Sequence, residues 1–546
     1  MIPLSDLANE NEAYIANGRI NISCSIITCT MRKLLINIFL AYLRACGKLQ
    51  LKKNNPYIIG ISGSAGKTST MDALYAILRD YKKTKFSLKA NSETGIPLDI
   101  LGIKVENFTV LEWIKIFFLI PIKLLTNWEK YEVYVVEMGV DSIEEPKNMK
   151  YLLKILVPNI AIYLNVNAVH GVNYETSNGS ILNPSQLLTN KENKNEYLEQ
   201  IKDLIANDKN LLIQAVDKSG MVVLNMEDPR VAKSKELSVA PVYEIRKISE
   251  EELLMKAKDE NVEKLLKRDI HEGTTLYYSD GKNEGGFSFN FLHNSKLYKV
   301  QFPTLILPKH FSVTFSAALG VAYFLKIDLE SAIESLIENY KLEPGRSSVF
   351  KGICDSTIID SSYNSSKEAT KDMIDLLNEY KFNSNNGNTK TPYKIAVLGD
   401  MRELGSNSRI EHEDLAEYTF NKVDEYFLVG KEMKNFFIPK LINLGINKYK
   451  IHYFDKAGEC GKSLEEFLHT HFNPEMDTKN IDDFYSKYID REKFQQNYSP
   501  LILIKGSQNT IFLEIVVEQI LQNKDDTKLL CRRGKFWNSK RKPYTI

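Results

Sequence analysis

The chain has 546 residues, of which 43% are hydrophobic and 26% are charged, and its formal net charge is +1 at pH 7. This composition is typical of a folded globular protein and excludes a largely disordered chain. The near-neutral charge excludes an overall field that attracts nucleic acid, so we expect no nucleic-acid partner. At roughly 150 residues per domain, the length predicts three or four domains.

The cysteine pattern and the N-terminus indicate a compartment. The six cysteines show no C-x-x-C spacing, which argues against a structural zinc site and fits a reducing environment. The first residues, MIPLSDLANENEAY, contain no basic region followed by an apolar run, so we predict no signal peptide. Together these features predict a cytoplasmic protein.

Two apolar segments raise the question of membrane contact. Residues 34–43, LLINIFLAYL, are too few to span a bilayer, which takes about 20 apolar residues. Residues 110–128 are interrupted by Glu112, Lys115 and Lys123. They fit either a helix packed inside the protein or a helix lying on a membrane surface, where the lysines reach the headgroups. Peripheral membrane contact through 110–128 is therefore one of two interpretations.

In chain order, a short N-terminal segment (residues 1–55) ends in a predicted helix. Residues 56–62, PYIIGIS, predict a buried strand, and residues 67–81 carry apolar side chains at helical spacing. Gly63 and Gly66 lie in the turn between them. A strand, a glycine turn and a helix in this order are the context of a phosphate-binding loop.

Strand and helix signals keep alternating along the rest of the chain. Further buried strands are predicted at 132–138, 159–166, 394–400, 425–430 and 500–507. This alternation predicts an α/β fold with mainly parallel sheets and helices on both faces.

The domain organisation follows from a Pro–Gly boundary near residues 341–346. We expect a central ATP-binding domain at 56–340 and a Rossmann-like α/β domain at 341–525. Residues 526–546 contain seven basic side chains and predict a solvated basic tail.

The turn at residues 62–69 reads SGSAGKTS. Its glycines let consecutive backbone N–H groups face a phosphate, and the following helix adds its positive end. Lys67 supplies a point charge for the outer phosphates, and Thr68 supplies a hydroxyl for Mg²⁺. The expected nucleotide contacts here are Gly63, Ser64, Ala65, Gly66, Lys67, Thr68 and Ser69.

Two residues after neighbouring strands have the chemistry of metal ligands. Glu137 ends the strand EVYVVEM, where a carboxylate beside a phosphate loop suits Mg²⁺. His170 follows the strand NIAIYLNV by a few residues. Alone it would be read as a structural histidine, but beside Thr68 and Glu137 it becomes a candidate second ligand.

An ordered series of motifs resembles the Mur ligase family. The series comprises SGSAGKTS, NSETGIPLDIL, VVEMG, NVNAVH, LNMEDP, EPGR, IDSSYN, VLGDMRELG and KGS, and it runs from about residue 57 to 520. VLGDMRELG resembles the family members that add D-alanyl-D-alanine to a UDP-muramoyl tripeptide. The resemblance implies an ATP-dependent amide ligase that acts through an acyl phosphate in peptidoglycan precursor synthesis.

The resemblance also implies residue roles. Lys67, His170 and Lys209 would be catalytic, and Thr68, Glu137, His170 and Lys209 would hold metal, two Mg²⁺ ions in the family's pattern. Lys209 matches the position of a lysine that the family carbamylates with CO₂; the alternative is a surface lysine. Further nucleotide contacts would be Asn225, Arg346, Asp360 and Asn364, with Asp360 suited to a ribose hydroxyl.

The sequence departs from the family pattern at two places. Residues 310–314, HFSVT, stand where the family has an H-N-x-x-N adenine motif, and both asparagines are replaced. Family members of this type carry a larger N-terminal domain that binds the UDP-sugar, whereas only residues 1–55 precede the phosphate loop here. Two alternatives therefore remain: a Mur-fold ligase for another acid and amine, of the folate-polyglutamate or amino-acid-polymer type, and a non-catalytic ATP-binding protein.

Overall fold

The computed structural model describes residues 22–87, 90–105, 109–140, 142–167, 191–258, 274–283, 286–382, 390–402, 404, 407–473, 491–507 and 511–545. The chain divides into two compact units. Unit 1 comprises Met1–Ser279, Asn290–Tyr298 and Val313–Tyr340, and unit 2 comprises Asp280–Phe289, Lys299–Ser312 and Lys341–Ile546. The domain boundaries drawn from the sequence stay a prediction.

The first sheet has ten strands, most of them parallel. The strands are β1 (Tyr57–Ser62), β2 (Thr84–Phe86), β3 (Val133–Glu137), β4 (Ile160–Tyr163), β5 (Met221–Asn225), β6 (Val242–Lys247), β7 (Thr274–Tyr278), β8 (Lys282–Asn283), β9 (Phe287–His293) and β10 (Lys296–Phe302). Their order is β10-β9-β7-β6-β5-β4-β1-β3-β2, with β8 beside β9. The strands from β2 to β7 pair in parallel, and β9 pairs antiparallel with β7 and β8.

The helices up to residue 339 connect and cover these strands. They are α1 (Ile22–Asn54), α2 (Lys67–Leu78), α3 (Gly95–Leu101), α4 (Val110–Thr126), α5 (Met149–Leu153), α6 (Lys191–Gln214), α7 (Pro229–Lys233), α8 (Glu250–Lys258), α9 (Phe311–Phe324) and α10 (Leu329–Asn339). The predicted strands at 56–62, 132–138 and 159–166 and the helix after the glycine turn are confirmed. The helix predicted at the end of residues 1–55 is present as α1.

Apolar cores among the described residues stabilise unit 1, and two of them concern the site and the N-terminal helices. The larger joins residues of β1, β3, β4 and β5 to helices α5 and α6, and strands buried on both faces explain why their sequences are almost entirely apolar. The smaller joins α1, α3 and α4 through side chains such as Leu43, Leu101 and Trp113. Within the described part of the chain, one helical segment is long and apolar enough to cross a membrane, by length and composition only. It is Leu34–Asn54 of α1.

Unit 2 contains a six-stranded sheet. Its strands are β11 (Ser348–Lys351), β12 (Thr357–Ser361), β13 (Thr391–Gly399), β14 (Glu425–Val429), β15 (Ile451–Phe454) and β16 (Tyr498–Lys505), in the order β11-β12-β16-β13-β14-β15. All pairs are parallel except β11 with β12. The helices of this part are α11 (Lys367–Glu379), α12 (Ser408–Thr419), α13 (Ile438–Asn443), α14 (Ala457–Phe472), α15 (Arg491–Asn497), α16 (Glu514–Ile520) and α17 (Lys535–Arg541). The predicted mainly parallel α/β fold is confirmed for both sheets.

The C-terminal segment is folded, and although Lys528, Lys535, Lys540 and Lys542 are exposed, two of its arginines are buried, which the expectation of a solvated tail did not include. The guanidinium of Arg532 is almost fully buried and donates to Glu514 Oε2 at 2.5 Å. It also donates to the backbone oxygens of Ser362 and Tyr363, at 3.2 and 2.6 Å. Arg541 is buried as well and pairs with Glu518 at 3.0 Å. Acidic side chains of α16 neutralise these arginines, which explains why a basic segment packs against unit 2.

We expect Arg532→Met to destabilise unit 2. Glu514 is fully buried, and burial raises the pKa of its carboxyl while Arg532 lowers it. Removing the arginine leaves that carboxyl and two carbonyl oxygens without their donor, a loss of about 3 kcal/mol or more in the free energy of unfolding. Urea denaturation measures the loss. Arg409→Met is the control, because the Arg409–Glu413 pair is largely exposed and its removal should change little.

Candidate functional site

The carboxyl ends of three neighbouring strands form one edge of the first sheet. Strand β1 lies between β3 and β4 and pairs with both in parallel. Ile61 is opposite Glu137, and Ser62 is opposite Tyr163. Because parallel strands end at the same edge, the segments that follow β1, β3 and β4 meet there, which is where open α/β sheets bind ligands.

The phosphate loop at this edge is fastened to the segment after β4. The amides of Ser64 and Ala65 donate to the backbone oxygen and to Oδ1 of Asn165, at 3.0 and 2.8 Å, and Asn165 Nδ2 donates back to the oxygen of Ala65. These two amides therefore support the loop, and phosphate contacts by Ser64 and Ala65 stay a prediction. The amides in the first turn of α2 have no partner inside the helix and remain suited to an anion.

Glycine is required where the loop enters α2. Gly66 precedes the helix with φ +83°, in the left-handed region that side chains other than glycine rarely adopt. A Cβ on Gly63 would lie 3.1 Å from Cβ of Leu164 and 3.2 Å from the oxygen of Ala65. The loop can thus turn tightly against the segment after β4 only with glycines at these positions.

Thr68 and Glu137 meet at the mouth of the loop. The Thr68 hydroxyl donates to Glu137 Oε1 at 2.5 Å, although 69 positions separate the two residues in sequence. The backbone of Glu137 is held by the hydroxyl of Ser87 at 3.0 Å, and its side chain is buried. The structure therefore brings together the two oxygen-bearing residues that the sequence singled out.

Lys67 lies across the same loop. Its Nζ donates to the backbone oxygen of Gly63 at 2.8 Å, so the ammonium group is held over the turn. A cation in this position sits where the outer phosphates of a nucleotide would reach a phosphate loop.

Lys209 comes to the loop from α6. It is buried, and its Nζ donates to the hydroxyl of Ser64 at 3.2 Å. The alternative of a surface lysine is therefore wrong. The hydroxyl of Ser64 also accepts from the amide of Asn167, so one serine links α6 to the segment after β4.

Asn225 ends β5, beside β4. Its Nδ2 donates to the backbone oxygen of Leu164 at 2.9 Å, and its Oδ1 accepts from the amide of Glu227. Asp228 accepts from the amide of Val166 at 2.7 Å and caps α7. Both side chains of the LNMEDP motif thus hold the backbone after β4, and a nucleotide contact by Asn225 stays a prediction.

In unit 2, the expected nucleotide residues gather around the loop after β12. Asp360 is fully buried and its Oδ1 accepts from the amide of Ser362 at 3.0 Å, while Oδ2 has no hydrogen-bond partner among the described residues. Burial raises the pKa of this carboxyl. Asn364 Oδ1 accepts from the amide of Ser365, and Arg346 places its guanidinium carbon 4.8 Å from the ring centre of Tyr363. The unpartnered oxygen of Asp360 is compatible with a ligand hydroxyl.

Lys505 is a buried cation beside this loop. It ends β16, opposite Ser361 of β12. Its Nζ donates to the oxygen of Asn364 at 2.9 Å and to the Ser361 hydroxyl at 3.3 Å. Burial, helped by the charge of Arg346, lowers the pKa of Lys505 to about 8. The KGS motif therefore places a buried lysine against the loop, and this residue was missed as a site residue.

His412 holds the backbone of residues 400–402, which follow β13. It is fully buried; its Nε2 accepts from the amide of Met401 at 3.0 Å, and Nδ1 lies 2.7 Å from the oxygen of Ser408. Because an amide can only donate and a carbonyl can only accept, the proton is on Nδ1. The histidine has a structural role in fixing this turn.

His170 and the replaced adenine motif at residues 310–314 are the remaining expectations from the sequence. His170 lies outside the described residues, so its predicted role as a metal ligand stays a prediction. At residues 310–314, where the family's adenine motif is replaced, Phe311 and Thr314 are buried. His310 pairs with Asp372 at 2.9 Å. Asn165 was missed as a site residue, although it lies near the end of the predicted strand 159–166 and that position could have drawn attention to it.

Comparisons with known proteins agree with this geometry. Residues 61–198 match the Mur ligase middle domain. A UDP-N-acetylmuramoyl-tripeptide–D-alanyl-D-alanine ligase of Borreliella burgdorferi is 26% identical over 408 residues, which cover 73% of this chain and 68% of the relative.

Solved structures share the fold. MurF from Acinetobacter baumannii superposes with a TM-score of 0.60 and 18% identity, covering 89% of this chain and 81% of that one. MurF ligase from Thermotoga maritima in complex with ADP gives a TM-score of 0.55 and 19% identity, covering 88% and 83%. The phosphate loop and its carboxylate partner thus lie in the part of the chain that is similar to the Mur ligase middle domain, in a chain similar in sequence to a curated D-alanyl-D-alanine ligase and similar in fold to solved MurF structures.

Proposed function

We propose that the protein is an ATP-dependent amide ligase that joins D-alanyl-D-alanine to a UDP-muramoyl tripeptide in peptidoglycan precursor synthesis. The observation that carries the proposal is the Thr68–Glu137 pair at the mouth of the phosphate loop. It supplies the hydroxyl and carboxylate oxygens that a magnesium-bound triphosphate requires. The names of the similar proteins give the substrates.

The nucleotide would be held by both charge and backbone. Lys67 would move from the oxygen of Gly63 to the outer phosphates, which compete for the same ammonium group. The first turn of α2 would contribute its free amides and the positive end of the helix. Asn225, Arg346, Asp360 and Asn364 would complete the contacts in the pattern of the family.

The residues present fit a divalent cation that prefers oxygen. Among the described residues no group of three or more histidine, cysteine, aspartate or glutamate side chains converges. Thr68 and Glu137 would hold one Mg²⁺. A carbamate on Lys209, with His170, would hold a second, because carbamylation turns a cation into an oxygen ligand. When bound, Mg²⁺ neutralises charge on the phosphates.

The chemistry has two steps. The substrate carboxylate attacks the γ-phosphorus of ATP, the bond to the bridging oxygen breaks, and an acyl phosphate and ADP form. The amine of the second substrate then attacks the acyl carbon, phosphate leaves with the C–O bond electrons, and the amine loses a proton. Lys67 stabilises the negative charge of the transferred group, and the fixed loop keeps it oriented.

The replaced adenine motif favours a second candidate. Because Phe311 and Thr314 are buried where the family has asparagines, the base would be bound differently. A Mur-fold ligase for another acid and amine, or a non-catalytic ATP-binding protein, fits this observation. A phosphate-release screen over acid–amine pairs separates the three: turnover with UDP-muramoyl tripeptide and D-alanyl-D-alanine supports the first, turnover only with another pair supports the second, and ATP binding without turnover supports the third.

The proposal includes a location. A cytoplasmic enzyme in peripheral contact with a membrane through residues 110–128 fits the apolar, exposed outer side of α4.

We expect Lys67→Ala to abolish ATP-dependent phosphate release. The variant lacks the cation that offsets phosphoryl charge, a loss of about 10²-fold or more in turnover. A coupled phosphate assay with both substrates at saturation measures it. Lys218→Ala, an exposed lysine of unit 1, is the matched control and should retain activity. Turnover of Lys67→Ala near that of the control would show that the loop has been wrongly assigned.

We expect Lys209 to carry a carbamate. Protein equilibrated with ¹³C-bicarbonate should show a carbamate carbon signal by NMR that is absent from Lys209→Arg, because a guanidinium does not form this adduct. Loss of activity in Lys209→Arg with no carbamate signal in the wild type would assign the lysine to a hydrogen-bonding role toward Ser64 instead.

A further inference from the structure

Helix α4 is apolar on both of its sides. One side, which includes Trp113, Ile116 and Ile120, is buried against the rest of unit 1. The other leaves large apolar side chains in solvent, with Leu111, Phe118 and Leu125 exposed by 71%, 65% and 73%. The full exposed set is Val110, Leu111, Ile114, Phe117, Phe118, Ile122 and Leu125. Packing inside the protein accounts for the apolar residues of the buried side only. A contiguous exposed apolar patch such as the other side marks an interaction surface.

Helix α1 extends this surface. The ring of Phe117 lies 6.3 Å from that of Phe39 and 5.0 Å from that of Tyr42, so the exposed side of α4 meets α1. Close to these rings along α1, Leu34, Leu35 and Ile38 are also exposed. We call the exposed apolar residues of both helices the α1–α4 face.

The α1–α4 face lies along unit 1, because the later part of α1 is packed against the protein. Leu40 and Leu43 are buried. A Cβ on Gly47 would lie 3.2 Å from Cβ of Pro97, so α1 packs directly on α3. A helix with one side locked in the protein and the other apolar and open is the arrangement of a surface-bound helix.

The charges around the face have one dominant sign. Residues 34–54 and 110–130 contain seven basic side chains and two acidic ones, a net charge of +5 in a chain whose total is +1. The basic residues are Arg44, Lys48, Lys52, Lys53, Lys115, Lys123 and Lys130, and the acidic ones are Glu112 and Glu129. Lys53 also lies over the ring of Trp128, 4.9 Å from its centre, and tryptophan with lysine is typical of a membrane interface.

We propose that the α1–α4 face binds the surface of a bilayer that contains anionic lipids. The apolar side chains enter the boundary between headgroups and acyl chains, and the surrounding lysines contact the negative headgroups. The inference deepens the proposed contact of residues 110–128 by adding α1 and the charge of the lipid. It does not depend on the ligase activity.

Vesicle flotation of the full chain tests the proposal without nucleotide or substrate. Vesicles of phosphatidylglycerol and phosphatidylcholine should carry the wild type upward, and vesicles of phosphatidylcholine alone should carry much less. Raising the salt concentration should weaken the binding, because screening acts on the lysine contacts.

Two triple variants separate the apolar and charged contributions. Leu111→Ser/Phe118→Ser/Leu125→Ser removes exposed side chains and should abolish flotation. Ile116 is avoided because it is buried. Lys48→Gln/Lys115→Gln/Lys130→Gln changes three exposed lysines and should weaken binding to anionic vesicles by about a hundredfold.

The matched control is Val239→Ser/Leu254→Ser/Met255→Ser, which removes exposed apolar side chains elsewhere in unit 1 and should float like the wild type. Thermal unfolding should be unchanged in all three variants. The proposal is overturned if the wild type stays at the bottom with anionic vesicles, or if the serine variant floats equally. It is also overturned if light scattering shows a wild-type dimer that the serine variant dissociates, because a second copy then covers the face.

Discussion

The parallel register of β1 and β3 is the constraint on which the site depends. It sets Ile61 opposite Glu137, so that the carboxylate emerges beside the turn that follows β1 and accepts from Thr68. Side chains alternate between the faces of a strand, so a slip of one residue would send Glu137 to the opposite face. The almost entirely apolar sequences of both strands hold this register, because any slip would also disturb the core that they share.

Local patterns explain why so much of this edge could be predicted from sequence. The strand, glycine turn and helix around Gly63 and Gly66 are contiguous, and each strand end is visible as the limit of an apolar run. Asn165 was missed because its bonds to Ser64 and Ala65 depend on the order of strands in the sheet, which the sequence does not state. The spacing that singled out Lys209 succeeded because α6 brings that lysine to Ser64.

The C-terminal segment shows where charge counting fails. A run of basic side chains reads as solvated unless its partners are known, and here the partners are Glu514 and Glu518 on a preceding helix. Arg532 also donates to the loop that carries Asp360 and Asn364. The burial of a charge is thus decided by tertiary contacts, and the same contacts tie the end of the chain to the predicted nucleotide residues of unit 2.

Contiguous packing in unit 1 connects the α1–α4 face to the phosphate loop. Helix α1 packs on Pro97 of α3, and α3 begins just after the segment in which the oxygen of Asn91 accepts from the amide of Gly139. Gly139 lies two residues beyond Glu137. Because close-packed elements transmit position, a bilayer that holds the α1–α4 face also fixes the orientation of the site relative to its surface. Attachment through α1 and α4, which both pack on α3, would therefore hold the phosphate loop at a fixed angle to the bilayer surface. A flexible lipid anchor would not fix this angle.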